Sequence, residues 1–366
     1  MPEYDQIQLA TERFIIENPL ILDNVFHRDP LFGYLRDTVE EMFTGGRRQV
    51  ESDFEYDGET AAAYQPGGDF NLMERQSETA FALPIQFYYS NVTANLEDLE
   101  VFNKGSRAVY KFLDTRLSRA YRTLGEVIAA CLYLNGSRAG YTNIITGLAE
   151  ALNDGLTNSW DGQTYLSYGD KVRNSVQIGT ALNSIPYSTP TTTITLYDLE
   201  TSHARACQGE GEETPNIGVT TFIGFSSIKS RFQPQQRFND TQDPKLNFNA
   251  LMFNNTVLMR SRVAPGSYIS GNQTNELTRI INAFLKESSN GVITAYPTMT
   301  TETLFWLNAR RRFMRLLVSD SKKFGFGTTG WKAAQGNNKI ACQILAALAY
   351  FVRSPRRSVQ VYGFRN

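Results

Sequence analysis

Residues 96–136 read LEDLEVFNKGSRAVYKFLDTRLSRAYRTLGEVIAACLYLNG, and this stretch sets the architecture. Apolar or small residues recur at Leu99, Phe102, Ser106, Val109, Leu113, Leu117, Ala120, Leu124, Val127 and Cys131, always three or four apart. That spacing predicts a helix over 97–135, about 57 Å long at about 1.5 Å per residue. At about 100° per residue the stripe lies on one side, and Lys104, Arg107, Lys111, Arg119 and Arg122 lie opposite. Asn135-Gly136 supplies the stop, read as a residue pair that tolerates left-handed backbone. A rod this long is a spine for other elements or a coiled coil. The stripe lacks the sustained heptads a coiled coil needs, which favours the spine.

Composition bounds the rest. A chain of 366 residues with 41% hydrophobic content builds one large domain or two to three subdomains. No run of about 18 apolar residues exists to span a membrane. The first residues, MPEYDQIQLATERF, have neither a basic patch nor an apolar core, so no signal peptide is read there. Cys131, Cys207 and Cys342 are isolated and odd in number, which fits buried thiols in a reducing compartment rather than a disulfide framework or metal site.

Charge is segregated along the chain. The first 100 residues hold twenty acidic and six basic side chains, so they carry −14 and the remainder +13 of a net −1. Two arrangements satisfy this: the acidic segment meets the basic body of another copy, or it folds back on its own.

Upstream of the spine, residues 1–28 read as an arm. Asp29-Pro30 opens a helix, with Asp as N-cap, Pro at the first position, and Leu31, Leu35, Val39 and Met42 on one face before Gly45-Gly46. Residues 47–92 read as a two-stranded ribbon. Val50, Ser52, Phe54 and Tyr56 alternate in one strand; Phe81, Leu83, Ile85, Phe87 and Tyr89 alternate in the other, around a wide tip at Gly58–Asp69. A lone ribbon is marginal in water, so its apolar face rests on its own body or on a neighbour.

Downstream, Ile144–Leu152 predicts a second helix, and 155–190 reads as loop with short strands. From 191 helices and strands alternate as an α/β block: helix to about Gln208, strand Ile217–Phe222, helix Gly224–Phe232 and strands within Asn247–Arg260. An amphipathic helix carries Leu277, Ile280, Ile281, Phe284 and Leu285. Thr303–Leu307 and Phe313–Val318 flank an Asn-Ala-Arg-Arg-Arg turn. Lys339–Val352 and Ser358–Phe364 read as a closing hairpin.

Chemistry is sparse. Only His27 and His203 are present, and no nucleophile-elbow, zinc-protease or Walker motif occurs. Gly325-Phe326-Gly327-Thr328-Thr329-Gly330 has the G-x-G-x-x-G spelling of a dinucleotide loop, but no acid lies about 20 residues on, so a flexible loop is the expected structure. Arg310, Arg311, Arg312 and Arg315, with Arg353, Arg356 and Arg357, form basic clusters. They serve ion pairs between subunits, contact with a nucleic-acid backbone, or solvation; no interleaved aromatics favour base stacking.

The order of elements resembles the major capsid protein of tailed bacteriophages, the fold shared with encapsulin shells. The runs Thr214-Pro215-Asn216-Ile217-Gly218-Val219-Thr220-Thr221, Phe232-Gln233-Pro234-Gln235-Gln236-Arg237-Phe238 and Phe248-Asn249-Ala250-Leu251-Met252-Phe253 look like the axial-domain run of such proteins. Leu304-Phe305-Trp306-Leu307-Asn308 is similar to the strand that follows, and Asn338–Arg357 to the last peripheral strand and its Pro-Arg turn. The resemblance implies an α+β capsid fold. Its parts are an N-terminal arm and short helix (1–43), an E-loop (44–95), a peripheral domain with the spine (96–188), an axial domain (189–300, with 265–297 as an insertion) and a return to the peripheral domain (301–366). It further implies a non-enzymatic shell subunit, without cofactor or metal, assembling as hexamers and pentamers around double-stranded DNA held without sequence preference. The partners are a portal, a separate scaffolding protein and a decoration protein. The place is the virion, and the host cytoplasm during assembly. The alternatives are an encapsulin-like cargo shell and an enzyme using the Gly325–Gly330 loop.

On this resemblance the subunit interface takes in Arg47, Arg48, Glu51, Asp53, Phe81, Leu83, Ile85 and Phe87 of the E-loop and the basic spine face. Arg310, Arg311, Arg312, Arg356 and Arg357 face DNA or make ion pairs. Relatives that crosslink use an E-loop Lys; none occurs here before Lys104, so no such bond is expected.

Overall fold

The computed structural model describes residues 29–36, 38–42, 48–57, 61, 63, 77–95, 97, 106–137, 141, 143–189, 193–209, 211–232, 241–242, 249–267, 276–285, 301–333 and 338–365. The arm, most of the ribbon tip, Arg47, Lys104 and the Gln233–Phe238 run lie outside them.

Asp29 caps α1 (Pro30–Arg36), its Oδ2 accepting from the Leu31 N–H at 3.0 Å. The helix ends sooner than predicted. Val39–Met42 is strand β1, whose side of the chain pairs in parallel with 316–319. The ribbon is β2 (Gln49–Glu55) against β3 (Glu78–Pro84). It stops at Pro84, and β4 (Gln86–Asn95) leaves it for a larger sheet, so the period-two run spans two strands rather than one. Helix α2 (Ser106–Tyr133) is the spine. Its stop works differently from the prediction: a Cβ on Gly136 would sit 2.1 Å from the Ile144 carbonyl oxygen, so close approach of the returning chain requires the glycine. The second helix shrinks to one turn, Leu148–Ala151. Short strands β5 (Ser167–Tyr168), β6 (Lys171–Val172) and β7 (Tyr187–Ser188) follow.

Helix α3 (Leu196–Ala206) starts at a capping box in which Thr195 and Asp198 satisfy each other's backbone N–H. Then come β8 (Ile217–Thr220), α4 (Phe222–Phe232), β9 (Thr241–Gln242), β10 (Asn249–Phe253) and β11 (Thr256–Arg260). Helix α5 (Glu276–Ile280) runs on as a π turn through Leu285. The chain closes with β12 (Glu302–Leu307), β13 (Met314–Ser319), β14 (Gly325–Thr328), β15 (Lys332–Ala333), β16 (Lys339–Val352) and β17 (Val359–Phe364).

Two sheets organise these strands. One runs β1-β13-β16-β14, with β4 and β15 also pairing with β16; the other runs β7-β17-β12-β8-β11-β10-β9. Neighbours in sequence are therefore split. β12 and β17 belong to the second sheet, β13 and β16 to the first, so neither predicted strand pair is a hairpin. Every residue of β12 is buried because both its faces are covered: Leu304 and Trp306 enter one core, Phe305 and Leu307 the other. Each such side chain contributes roughly 1.5–3 kcal/mol by burial.

The spine ties the sheets together. The Tyr121 hydroxyl donates to the Phe326 carbonyl in β14 at 3.0 Å, and Tyr133 packs on Phe305 of β12 with ring centres 5.5 Å apart. Helix α5, expected in an axial insertion, lies against the spine, with Leu277 and Ile280 buried there and Arg279 3.6 Å from Glu126.

Candidate assembly surfaces

The ribbon base rests on its own chain. Phe81 meets Phe54, Tyr168 and Phe351 at ring distances of 5.9, 5.7 and 5.3 Å, and the Ala82 N–H donates to Gly169 O at 3.2 Å. Phe81 and Leu83 are 1% and 2% exposed, so both are taken up inside the chain and are withdrawn from the expected subunit contacts. The reason is register. Their face of β3 turns toward the body, while Arg48, Glu51 and Asp53 stay exposed on the ribbon. Arg353 anchors the ribbon further, donating to the Asp53 carbonyl at 3.1 Å. Ile85 is half-buried against the core, whereas Phe87 is 62% exposed on β4.

On the spine, Arg119 and Arg122 are exposed opposite the buried stripe, as the helical period predicts, and Arg107 and Lys111 fall within the helix. Beside them lies a groove of about 930 Å³ between the spine, β4 and the π turn. Arg116 crosses its end to donate to the Thr93 carbonyl of β4.

The arginine clusters mark two of the crossovers between sheets, β12 to β13 and β16 to β17. Arg310 donates to Glu212 O at 2.8 Å and Thr214 O at 2.7 Å; Arg357 pairs with Glu213 at 2.6 Å and lies over the Phe313 ring at 4.7 Å. Arg311 and Arg315 both hold Glu40 of β1, at 2.7 and 3.0 Å. Thus Arg310, Arg311 and Arg357 make contacts within the chain. Arg312 and Arg356 are exposed, Arg312 lying 5.7 Å over Phe313.

The G-x-G-x-x-G stretch is strand, not flexible loop. Gly325 and Gly327 pair with β16 across a register shift, and a Cβ on Gly327 would lie 1.7 Å from Lys322 O. These glycines admit a crossing backbone, and among the described residues the next element is strand β15 rather than a helix that would present N–H groups to a phosphate.

Sequence reading missed one node. Asp29 is fully buried and accepts from Leu31 N–H, the Tyr133 hydroxyl at 3.1 Å and the Ser261 hydroxyl, joining α1, the spine and the end of β11. Burial pushes its carboxyl up to about 6 despite those donors. Only the Asp-Pro cap was visible in sequence. A second buried set lies under the 148–184 segment: Arg173 donates to Glu150 O at 2.6 Å and to Leu182 O, and burial lowers its guanidinium to about 10 and raises the Glu150 carboxyl. Burial lowers His203 below the ordinary imidazole range, and its Nε2 lies 2.8 Å from Thr256 Oγ1, so it is a core histidine. No group of metal ligands occurs among the described residues.

No protein-family model matches the chain, and no curated protein matches it by sequence. Solved structures do. The cyanophage A-1(L) capsid subunit superposes with a TM-score of 0.59 at 13% identity, over 92% of this chain and 93% of that one. The chain has the HK97-like capsid fold. The capsid of a native GTA particle also matches, with a TM-score of 0.52 at 7% identity over 91% and 90% of the two chains. So does the SrpI encapsulin of Synechococcus elongatus, with 0.51 at 8% over 89% and 85%.

Within this capsid fold the split of β12/β13 and β16/β17 is the feature that makes the chain pass twice between sheets. The arginine-lined crossovers hold that passage: the Arg353 N–H donates to Phe313 O at 2.8 Å, one crossover to the other.

Proposed function

We propose that this chain is the major capsid protein of a tailed phage and builds a closed icosahedral shell around double-stranded DNA. The observation that supports it most is the likeness to the cyanophage capsid subunit across more than nine-tenths of both chains, 92% and 93%. The role is structural. In this reading the β2–β3 ribbon belongs to the E-loop (44–95), α2 is the peripheral spine and β8–β11 belong to the axial domain (189–300); β12 and β17, expected in the peripheral return (301–366), share a sheet with those axial strands. Hexamers and pentamers associate through the exposed ribbon residues Arg48, Glu51 and Asp53, with Arg47, Ile85 and Phe87, and through the basic face of Lys104, Arg107, Lys111, Arg119 and Arg122. Arg312 and Arg356 are the cluster members left to face DNA. A separate scaffolding protein, a portal and a decoration protein complete the particle, formed in the host cytoplasm and ending in the virion.

Expression alone and with the neighbouring virion genes, followed by negative-stain microscopy and nuclease treatment, tests this. Closed shells protecting double-stranded DNA are expected; a monodisperse monomer at high concentration overturns it. The likeness to SrpI favours a second reading, a cargo compartment. Shells that enclose a specific protein and no nucleic acid would select that one.

A further inference from the structure

Residues 150–185 sort their side chains the reverse way for a surface that meets only water. Six charged residues fall in this stretch, and four of them, Glu150, Asp154, Asp161 and Arg173, are buried. Asp170 is exposed and Lys171 partly so. On the outside stand Leu156, Leu166, Val172, Val176 and Ile185, each more than half exposed. Burying charge is costly and exposing hydrocarbon gains nothing, so the lone subunit does not account for the pattern. The buried polar groups fix turns. Asp154 accepts from the Leu156 and Thr157 N–H groups at 2.9 and 2.6 Å, and Asp161 from the Gln163 N–H at 3.1 Å and the Tyr165 hydroxyl at 2.5 Å. Asn174 donates to Asp154 O at 2.8 Å, Asn183 to Asn174 Oδ1 at 2.6 Å, and the Ser184 N–H to Asn153 O at 3.2 Å. The Arg173 N–H donates to Leu166 O at 2.8 Å, and the Gly179 N–H to Ser175 O at 2.8 Å closes the turn that carries Val176. The five apolar side chains therefore project from turns tied to one another.

We infer that this apolar face of residues 156–185 is an interface with a second copy of the chain. The inference rests on the shell reading above and names a contact surface that reading does not include. Exposed apolar side chains with almost no charge among them are the make-up of an interface centre. A face whose turns are already fixed loses little freedom on contact. The occupant follows from three observations. The face is continuous with the ribbon: the Ala82 N–H donates to Gly169 O at 3.2 Å, Gln49 Nε2 to Asp170 Oδ2 at 3.5 Å and Gln177 Nε2 to the Tyr56 hydroxyl at 3.5 Å. In the shell reading the exposed ribbon residues Arg48, Glu51 and Asp53 already meet another copy. A single exposed charge, Asp170, gives a strongly acidic or basic partner little to pair with. Capsid folds also self-assemble, so another copy is the partner at hand. The ribbon then supplies charged contacts and the face beside it apolar adhesion.

Two experiments on the full-length chain test this. Val172→Asp and Val176→Asp place a charge on the face without touching the buried network. Each should leave the melting temperature of the unassembled subunit unchanged and raise the concentration at which shells form by about tenfold or more. Val176→Thr, nearly the same shape, should raise it less. Independently, the photocrosslinking residue benzoylphenylalanine is placed at position 166 or 176 and irradiated after assembly. Bands at multiples of 41.2 kDa are expected on denaturing gels, with the bond mapped by peptide mass to another copy of this chain. Shells that form at an unchanged concentration in both Asp variants overturn the inference and leave the shell reading standing. So do shells in which neither position bonds to another copy, or bonds only to a different protein. An unsubstituted chain that stays monomeric at every concentration overturns both.

Discussion

The Tyr133 hydroxyl donates to the Asp29 carboxylate at 3.1 Å, joining the last residue of the spine to the cap of the first helix. Ser261, just past β11, donates to the same group. One carboxylate therefore fixes three elements whose relative placement no local rule sets. Asp29→Ala leaves its donors buried without an acceptor and removes a helix cap. We expect a loss of about 3 kcal/mol from subunit stability, and about 1 kcal/mol for Tyr133→Phe. Urea unfolding of unassembled subunits measures both.

The same group gives a pH dependence of definite sign. Burial raises the folded carboxyl from 3.8 to about 6, so the folded state binds the proton more tightly than the unfolded chain. Its stabilising contribution is complete below about pH 4 and is lost as pH rises through about 6. Between pH 5 and 7.5 the urea midpoint of the unsubstituted subunit should fall more than that of Asp29→Asn, which cannot titrate. Equal slopes for the two would show that Asp29 does not titrate between pH 5 and 7.5 in the folded subunit.

Arg310 and Arg312 are neighbours in sequence and opposites in structure. Arg310 donates to Glu212 and Thr214 carbonyls at 2.8 and 2.7 Å, whereas Arg312 is exposed. Arg310→Ala should cost about 2 kcal/mol, and Arg312→Ala less than about 0.5 kcal/mol. A cluster used only for DNA would show the two equally tolerated in the unassembled subunit, and thermal melts distinguish these outcomes.

Gly327→Ala should be severe, because its Cβ would sit 1.7 Å from Lys322 O where backbone cannot yield cheaply. Loss of at least about 2 kcal/mol is expected, with β14 detached from β16. Dinucleotides and nucleoside triphosphates should leave the melting temperature of the unsubstituted protein unmoved. A shift growing with ligand concentration would revive the nucleotide reading of this stretch.

These contrasts show what period and spelling convey. The spine stripe, Leu113 to Cys131, was legible because a helix pairs its own backbone, and burial there follows the three-and-four step. Phe81 and Phe87 share one period-two run, yet one is buried and one exposed, since the chain changes partner strand at Pro84 and periodicity carries no partner information. Likewise β16 and β17 look like a hairpin from the short Pro355–Arg357 link, but the link crosses between sheets. Long-range pairing decides such cases. Asp29 was seen only as a cap because its other donors come from positions 133 and 261.

On the proposed shell reading, the absence of lysine before Lys104 bears on crosslinking. A lysine-dependent bond from the ribbon is not available, so subunits should run as single 41.2 kDa bands on denaturing gels of purified shells. A covalent ladder persisting after reduction would point to a different donor.

On the proposed shell reading, assembly should respond to salt in one direction. The first 100 residues carry −14 and the rest +13, and Arg48, Glu51, Asp53, Arg119 and Arg122 are exposed in the subunit. Attraction between such surfaces acts before contact, across water, where the Debye length shrinks from about 10 Å at 0.1 M salt to about 3 Å at 1 M. On that reading docking partly buries the same charges, which are then screened much less. Light scattering should therefore show initial assembly slowing steeply between 0.1 and 1 M salt, while preformed shells at the same salt keep their size and count. Equal salt sensitivity of both stages would place the driving force in apolar contacts, with the charge separation left to solubility alone.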